Sequence, residues 1–193
     1  MRIKLIYTAI ILFAFTLIVK AQNHPKLNGN TSIEKIEDFE IQRLLNGIEI
    51  LKEFKNLLIS HFSQAKHLLC AHNGKEFDFP YIARRMIIHN IELPYKLNLF
   101  GKKPWEVPHL DTLELWKFGD YKNYTSLKLL THVLNIPSPK DDIDGSDVYR
   151  VYYEENDIDK IIKYCEKDTV AVAQIFLRLR GDDILNDNEI LHV

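Results

Sequence analysis

The sequence predicts an α/β domain. Short apolar runs of strand length, such as His67 to Ala71, end at polar turn residues, and longer segments repeat apolar residues at intervals of three and four. The two kinds alternate along the chain, as strands and helices do when they share one core. At 193 residues the chain fits one domain and is long enough to bury a core of its own. Its 46% hydrophobic and 27% charged content is that of an ordinary soluble globular protein.

The first element in chain order is signal-like. Arg2 and Lys4 precede a 15-residue apolar run, Leu5 to Val19, followed by Lys20, Ala21 and Gln22. A basic start, an apolar stretch and a small residue at a cleavage position make up a secretory signal. The run is short for a membrane span, so membrane contact is expected only through residues 5–19. Residues 22–31 are polar, with Pro25 and Gly29, and read as a linker. Ser32 to Phe62 has helical period, carried by Ile33, Ile36, Leu44, Leu45, Ile48, Leu51, Phe54, Leu57 and Leu58, with a break expected at Gly47.

His67 to Ala71 reads as a buried strand that enters a loop at His72, Asn73 and Gly74. Pro80 suits the first turn of a helix reaching about His89. Pro94 to Pro108 is a loop with the basic-aromatic stretch Gly101, Lys102, Lys103, Pro104, Trp105, and a second short strand is expected to end near Asp111. Thr125 is expected to cap a helix through Leu134, stopped by Pro137 and Pro139. Asn156 is expected to cap a long helix to about Arg180, with Asp159 favouring its first turn. The resulting division is a signal-like segment 1–21, a linker and helix 22–47, a domain 48–181 and a polar tail 182–193.

Net charge is −2, so no global basic field advertises a nucleic-acid partner. The distribution says more: residues 1–60 carry +2, residues 61–140 carry +4 and residues 141–193 carry −8. A basic middle beside an acidic end suits a phosphate-binding face near metal-binding carboxylates, and it equally suits solvated helix faces. The two cysteines, Cys70 and Cys165, match no zinc spacing and make no disulfide framework. Each lies within an apolar pattern and reads as a small buried hydrophobe.

Two constellations can carry chemistry. Asn73, Phe77, Asp78, Pro80 and Tyr81 lie where a strand gives way to a helix, at the sheet edge where α/β folds meet ligands. Taken singly, an Asp there is most often a helix cap. Tyr164, Cys165 and Asp168 lie on the long helix, whose stripe runs through Ile158, Ile161, Ile162, Cys165, Val172, Phe176 and Leu179. At roughly 100° per residue, Asp168 falls at the margin of that stripe, one turn beyond Tyr164. Taken singly, it is most often a solvated boundary residue.

Together the two constellations resemble the second and third motifs of the DnaQ-like 3'-5' exonucleases that proofread for B-family DNA polymerases. Asn73, Phe77 and Asp78 match the second motif; Tyr164, Cys165 and Asp168 match the third. His109 to Thr112, the helix from Ser126 to Leu134 and Lys140-Asp141 also look like that family, and the likeness covers roughly Leu51 to Arg180. The resemblance implies an RNase H-like exonuclease fold and two-metal hydrolysis at the 3' end of a single strand, DNA rather than RNA, with no small-molecule cofactor. It implies Asp78 and Asp168 as ligands to Mg²⁺ or Mn²⁺, and Tyr164 as the residue orienting water or phosphate. It implies Asn73 and Phe77 as the pocket for the terminal nucleotide, and a cytoplasmic enzyme. Lys102 and Lys103, with Arg84 and Arg85, are candidate phosphate contacts on charge. For Asp111 a capping role is favoured over a ligand role.

The sequence departs from that pattern at its start. The family's first motif, Asp-x-Glu, belongs to the first of three strands that precede the second motif, and here a helix leads straight into the second motif. The expected fold therefore lacks its first three strands and follows a hydrophobic N-terminal helix. Asp38-Phe39-Glu40 and Asp187-Asn188-Glu189 spell Asp-x-Glu, the first within a helical pattern and the second in a polar tail. Three functions stay open: a 3'-5' exonuclease with impaired or no activity, a non-catalytic nucleic-acid-binding remnant, and an exported interaction module.

Overall fold

A computed structural model describes residues 33–190 apart from Tyr121 and residues 138–142, with side chains described from residue 47 onward. The signal-like segment, the linker and Lys140-Asp141 lie outside the described residues. Helix α1 spans Ile33–His61. It runs through Gly47 without the expected break, because one glycine costs a helix only about 1 kcal/mol relative to alanine. Asp38 and Glu40 sit within this helix and not on a strand. The C-terminal half of α1 buries Leu51, Phe54 and Leu58 against Phe79, Ile82 and Met86 of α2, Asp78–Ile88. Each such side chain contributes about 1.5–3 kcal/mol on leaving water. Spacings of three and four on both helices bring these six residues to one seam.

Between α1 and α2 lies strand β1, Cys70–Ala71, which pairs in parallel with β2, Leu110–Asp111. The crossover between them is α2 and a loop holding two short 3₁₀ turns, Tyr95–Leu97 and Pro104–Glu106. Helix α3, Thr112–Lys117, follows β2 directly, and α4, Leu127–Val133, comes next. Ser126 caps α4, its hydroxyl accepting from the Leu129 N–H at 3.2 Å, so the cap falls one residue beyond the expected Thr125. A short helix α5, Val148–Arg150, runs on into a π-helical turn, Val151–Glu155, which ends where Asn156 adopts a left-handed conformation. The long helix α6, Ile158–Leu179, is capped by Asp157, whose carboxylate accepts from Lys160 N–H at 3.0 Å. Asn156 therefore ends one element, and its neighbour starts the next.

Helix α6 packs on α3, α4 and β1. It has two apolar faces. Ile175 is buried with Leu130 and Ile136, and Ile161 and Cys165 are buried with Ile143, Val148 and Val151. Val172 and Phe176 turn instead toward β1. Ile158 and Ile162, counted in the expected stripe, are exposed. After α6 the chain folds back: the Gln174 amide donates to the Leu185 carbonyl at 2.9 Å and accepts from the Leu185 N–H at 2.8 Å. The polar tail is thereby docked on α6 and closes with a 3₁₀ turn, Asp187–Glu189. Among the described residues the sheet has two strands, and no helix is long and apolar enough to cross a membrane.

Candidate functional site

The β1–α2 and β2–α3 junctions sit side by side and are tied by Asp111. Its carboxylate is 2% exposed and accepts three backbone N–H groups: Asn73 at 2.8 Å, Leu113 at 3.0 Å and Lys75 at 3.0 Å. One of these caps α3, and the other two pin the β1–α2 loop. Asp111 is thus a structural clamp, as its capping position suggested. Asn73 takes a positive φ of 63°, which its short amide side chain tolerates better than most residues would. Its carbonyl accepts from Phe77 N–H. Gly74 is required by close approach: a Cβ there would stand 2.3 Å from Ala71 Cβ and 3.2 Å from an Asp78 carboxylate oxygen. Asp78 itself opens α2 and is 5% exposed.

Two histidines extend the clamp. His109 is buried; its Nδ1 accepts from Leu69 N–H at 3.3 Å while Nε2 lies 2.6 Å from the Lys96 carbonyl. Those partners require a neutral ring with its proton on Nε2. Burial is the main cause pushing its pKa below the ordinary value, opposed by the Lys96 carbonyl and assisted by the charges of Lys96 and Lys75. Lys96 is itself buried and donates to the Gln64 carbonyl at 2.6 Å. His72 lies 2.9 Å from Thr112 Oγ1 and 2.9 Å from the Thr125 carbonyl. Its pKa too is lowered by burial, against the Thr125 carbonyl and the Asp111 charge.

On the other side of β1 the structure is open. Leu69 and Ala71 direct their backbone groups to the β2 side: Leu69 accepts from Leu110 N–H at 2.9 Å, and the Ala71 carbonyl accepts from Thr112 Oγ1 at 3.2 Å. Alternate residues of a strand face alternate edges, so the Cys70 N–H and carbonyl face away from β2. Along that edge runs a groove of about 950 Å³. Phe54, Leu58, Cys70, Val172 and Phe176 give it apolar walls, and Asp78 and Asp168 both line it. Two carboxylates 90 positions apart in sequence therefore line one concave surface. The docked tail adds Asp182, Asp183 and Glu189 to the same lining. Sequence reasoning missed these three, having set the tail aside as polar; the Ile184-Leu185 pair was the one local sign that it packs.

The remaining expected site residues stand elsewhere. Tyr164 packs against the Ile143, Val148, Val151, Ile161 and Cys165 cluster and is not among the groove-lining residues. Phe77 stacks on Tyr81 with ring centroids 6.0 Å apart, and neither Asn73 nor Phe77 lines the groove. Lys102 and Lys103 lie on the exposed loop before β2. Burial pushes the Cys70 thiol up to about 12 and raises that of Cys165 as well, so neither is a nucleophile at neutral pH. Among the described residues no three His, Cys, Asp or Glu side chains gather closely enough to hold a metal. Asp78 and Asp168 are hard oxygen donors on the groove's lining, fewer than a closed two-ion centre needs.

A family model described as the RNase H superfamily matches residues 26–180, well over half of the chain. No curated protein and no solved structure matches the chain. The short parallel sheet with helices packed around it fits that match. The chain belongs to the RNase H superfamily.

Proposed function

We propose that this chain is a 3'-5' exonuclease-type member of the superfamily whose groove engages a nucleic-acid 3' end beside Asp78 and Asp168, with little or no turnover. The observation that carries the reading is that both carboxylates, one opening α2 and one midway along α6, line the groove beside β1. Both would hold a divalent ion, which when bound supplies Lewis-acid polarisation of a phosphoryl oxygen and a more acidic water. The apolar walls from Phe54, Leu58, Val172 and Phe176 lower the dielectric around the carboxylates and strengthen their hold on charge. Asp111, committed to three backbone donors, takes no part in that chemistry. Low turnover follows because groups acting as a unit lose most of their rate when part of the set is missing.

Two measurements test this. Calorimetric titration with Mn²⁺ should show one site with a dissociation constant in the millimolar range, about −4 kcal/mol. A 3'-labelled single-stranded oligonucleotide, incubated with the chain from Gln22 onward and Mn²⁺, should be shortened no faster than with the Asp168→Ala variant. Two tight sites with stepwise 3' shortening would sink the low-turnover reading and would promote Asp182, Asp183 or Glu189 to ligands. The absence of a three-ligand group among the described residues favours a second reading, a non-catalytic binder of nucleic acid. In that reading the Asp168→Ala variant binds single strands with Mn²⁺ as tightly as the parent.

A further inference from the structure

We propose that the loop from Leu99 to Glu106 is a docking site for single-stranded nucleic acid, which stacks bases on Phe100 and Trp105 and places phosphates against Lys102 and Lys103. It deepens the nucleic-acid reading above and rests on it. Large aromatic side chains ordinarily leave water, yet Phe100 is 92% exposed and Trp105 is 76% exposed, five positions apart. They are not on a loose strap. Lys102 N–H donates to the Leu99 carbonyl at 3.1 Å, closing a tight turn in which Gly101 takes φ +72° and Phe100 is carried at the tip. The next turn is closed twice: Lys103 N–H donates to a Glu106 carboxylate oxygen at 2.8 Å, and Glu106 N–H donates to the Lys103 carbonyl at 2.9 Å. Leu97 is fully buried and Leu99 packs on the core, so the loop is anchored where it leaves the body.

The charge beside the rings names the partner. Lys103 Nζ lies 5.4 Å from the Trp105 ring centroid, and among the described residues neither Lys102 nor Lys103 is paired with a carboxylate. Exposed rings interleaved with unpaired cations match a strand that offers a base face and a phosphate at each step. An apolar protein ligand would leave both ammonium groups unused.

The test is binding in EDTA, so that failure of hydrolysis leaves the result unaffected. Quenching of tryptophan fluorescence and anisotropy of end-labelled dT and rU oligonucleotides are measured with the full chain over a series of salt concentrations. Phe100→Ala and Trp105→Ala should each weaken binding about tenfold with an unchanged salt slope. Lys102→Ala with Lys103→Ala should lower the slope by about 1.4, the value for two phosphates on a single strand. Equal binding of dT and rU supports stacking and backbone contact without sugar recognition, and binding of one alone supports the site while fixing the sugar. Parent-like affinity in the Phe100→Ala, Trp105→Ala double variant overturns the proposal. So does a parent chain that binds neither oligonucleotide, which would turn the loop toward a protein partner. Circular dichroism of each variant confirms that a lost signal is not lost fold.

Discussion

The two edges of β1 differ in nearly every respect. On the β2 side each group has a partner: Leu69 and Ala71 bond to the neighbouring strand and its helix, Asp111 gathers three N–H groups, and His109 bridges Leu69 to Lys96. On the other side the strand faces a groove of about 950 Å³ with apolar walls and a rim of carboxylates. The closed edge is built for stability, because unpaired polar groups inside a protein are costly. The open edge keeps uncovered apolar surface, which does not stabilise a fold, beside carboxylates that include Asp182, paired with Arg180 at 3.1 Å. Their coexistence on one two-residue strand separates what holds this molecule together from what is left to bind.

The sharpest way to break that contrast is at Asp111. Asp111→Ala leaves three N–H groups, one buried and two part-buried, without an acceptor and should cost on the order of 3–5 kcal/mol, read from urea denaturation. Asp111→Asn keeps one acceptor oxygen, turns an amide toward the remaining donors and should fall between. A loss below about 1 kcal/mol for Asp111→Ala would mean that water replaces the carboxylate and that the closed edge admits solvent.

Next in size is a pair of adjacent residues on α6. Ile175 is fully buried against Leu130 and Ile136, whereas Phe176 lines the groove. Ile175→Ala should cost about 2–5 kcal/mol, the usual range for emptying a packed site. Phe176→Ala removes a larger side chain yet should cost less than about 1.5 kcal/mol, because its ring is only half-buried, with the exposed Arg180 guanidinium 5.6 Å from its centroid. If Phe176→Ala proves the costlier of the two, the groove is filled in solution.

Much of this was legible beforehand because it is local. Turn residues bounding the apolar run at His67 to Ala71, and Pro80 behind Asp78, placed the β1–α2 junction; the period of Ile161, Cys165 and their neighbours placed α6 and Asp168. Caps slipped by one residue where two oxygen-bearing side chains adjoin, Thr125 beside Ser126 and Asn156 beside Asp157. Composition cannot choose between such neighbours, since the choice depends on which oxygen reaches an N–H three residues on. The tail was hardly legible, the Ile184-Leu185 pair being its one local sign. Its docking rests on one amide, Gln174, pairing with Leu185 eleven positions away, and no periodicity encodes such a contact. The expected apolar stripe of α6 counted Val172 and Phe176 correctly as apolar, but a stripe does not say whether anything covers it.

The smallest expected effect is a pH dependence carried by the closed edge. His72 and His109 both have pKa values below the ordinary 6.5, chiefly through burial. In the unfolded chain they take up protons near 6.5, and in the folded chain only at lower pH. Between those values the unfolded state binds more protons, so stability is full above about 6.5 and declines as pH falls from there toward the folded pKa. The surface carboxylates Asp120, Asp144 and Asp147 are likewise shifted down, below 3.8, so they too lose stability as pH falls, but only in stronger acid. Urea midpoints at pH 7.5, 6.5 and 5.5 should therefore fall across the last interval. His109→Gln, which offers an acceptor and a donor without titrating, should be less stable at pH 7.5 and should flatten the decline. A decline as steep as the parent's would move the effect away from the Leu69–His109–Lys96 bridge and onto His72 or His89, whose pKa is also lowered.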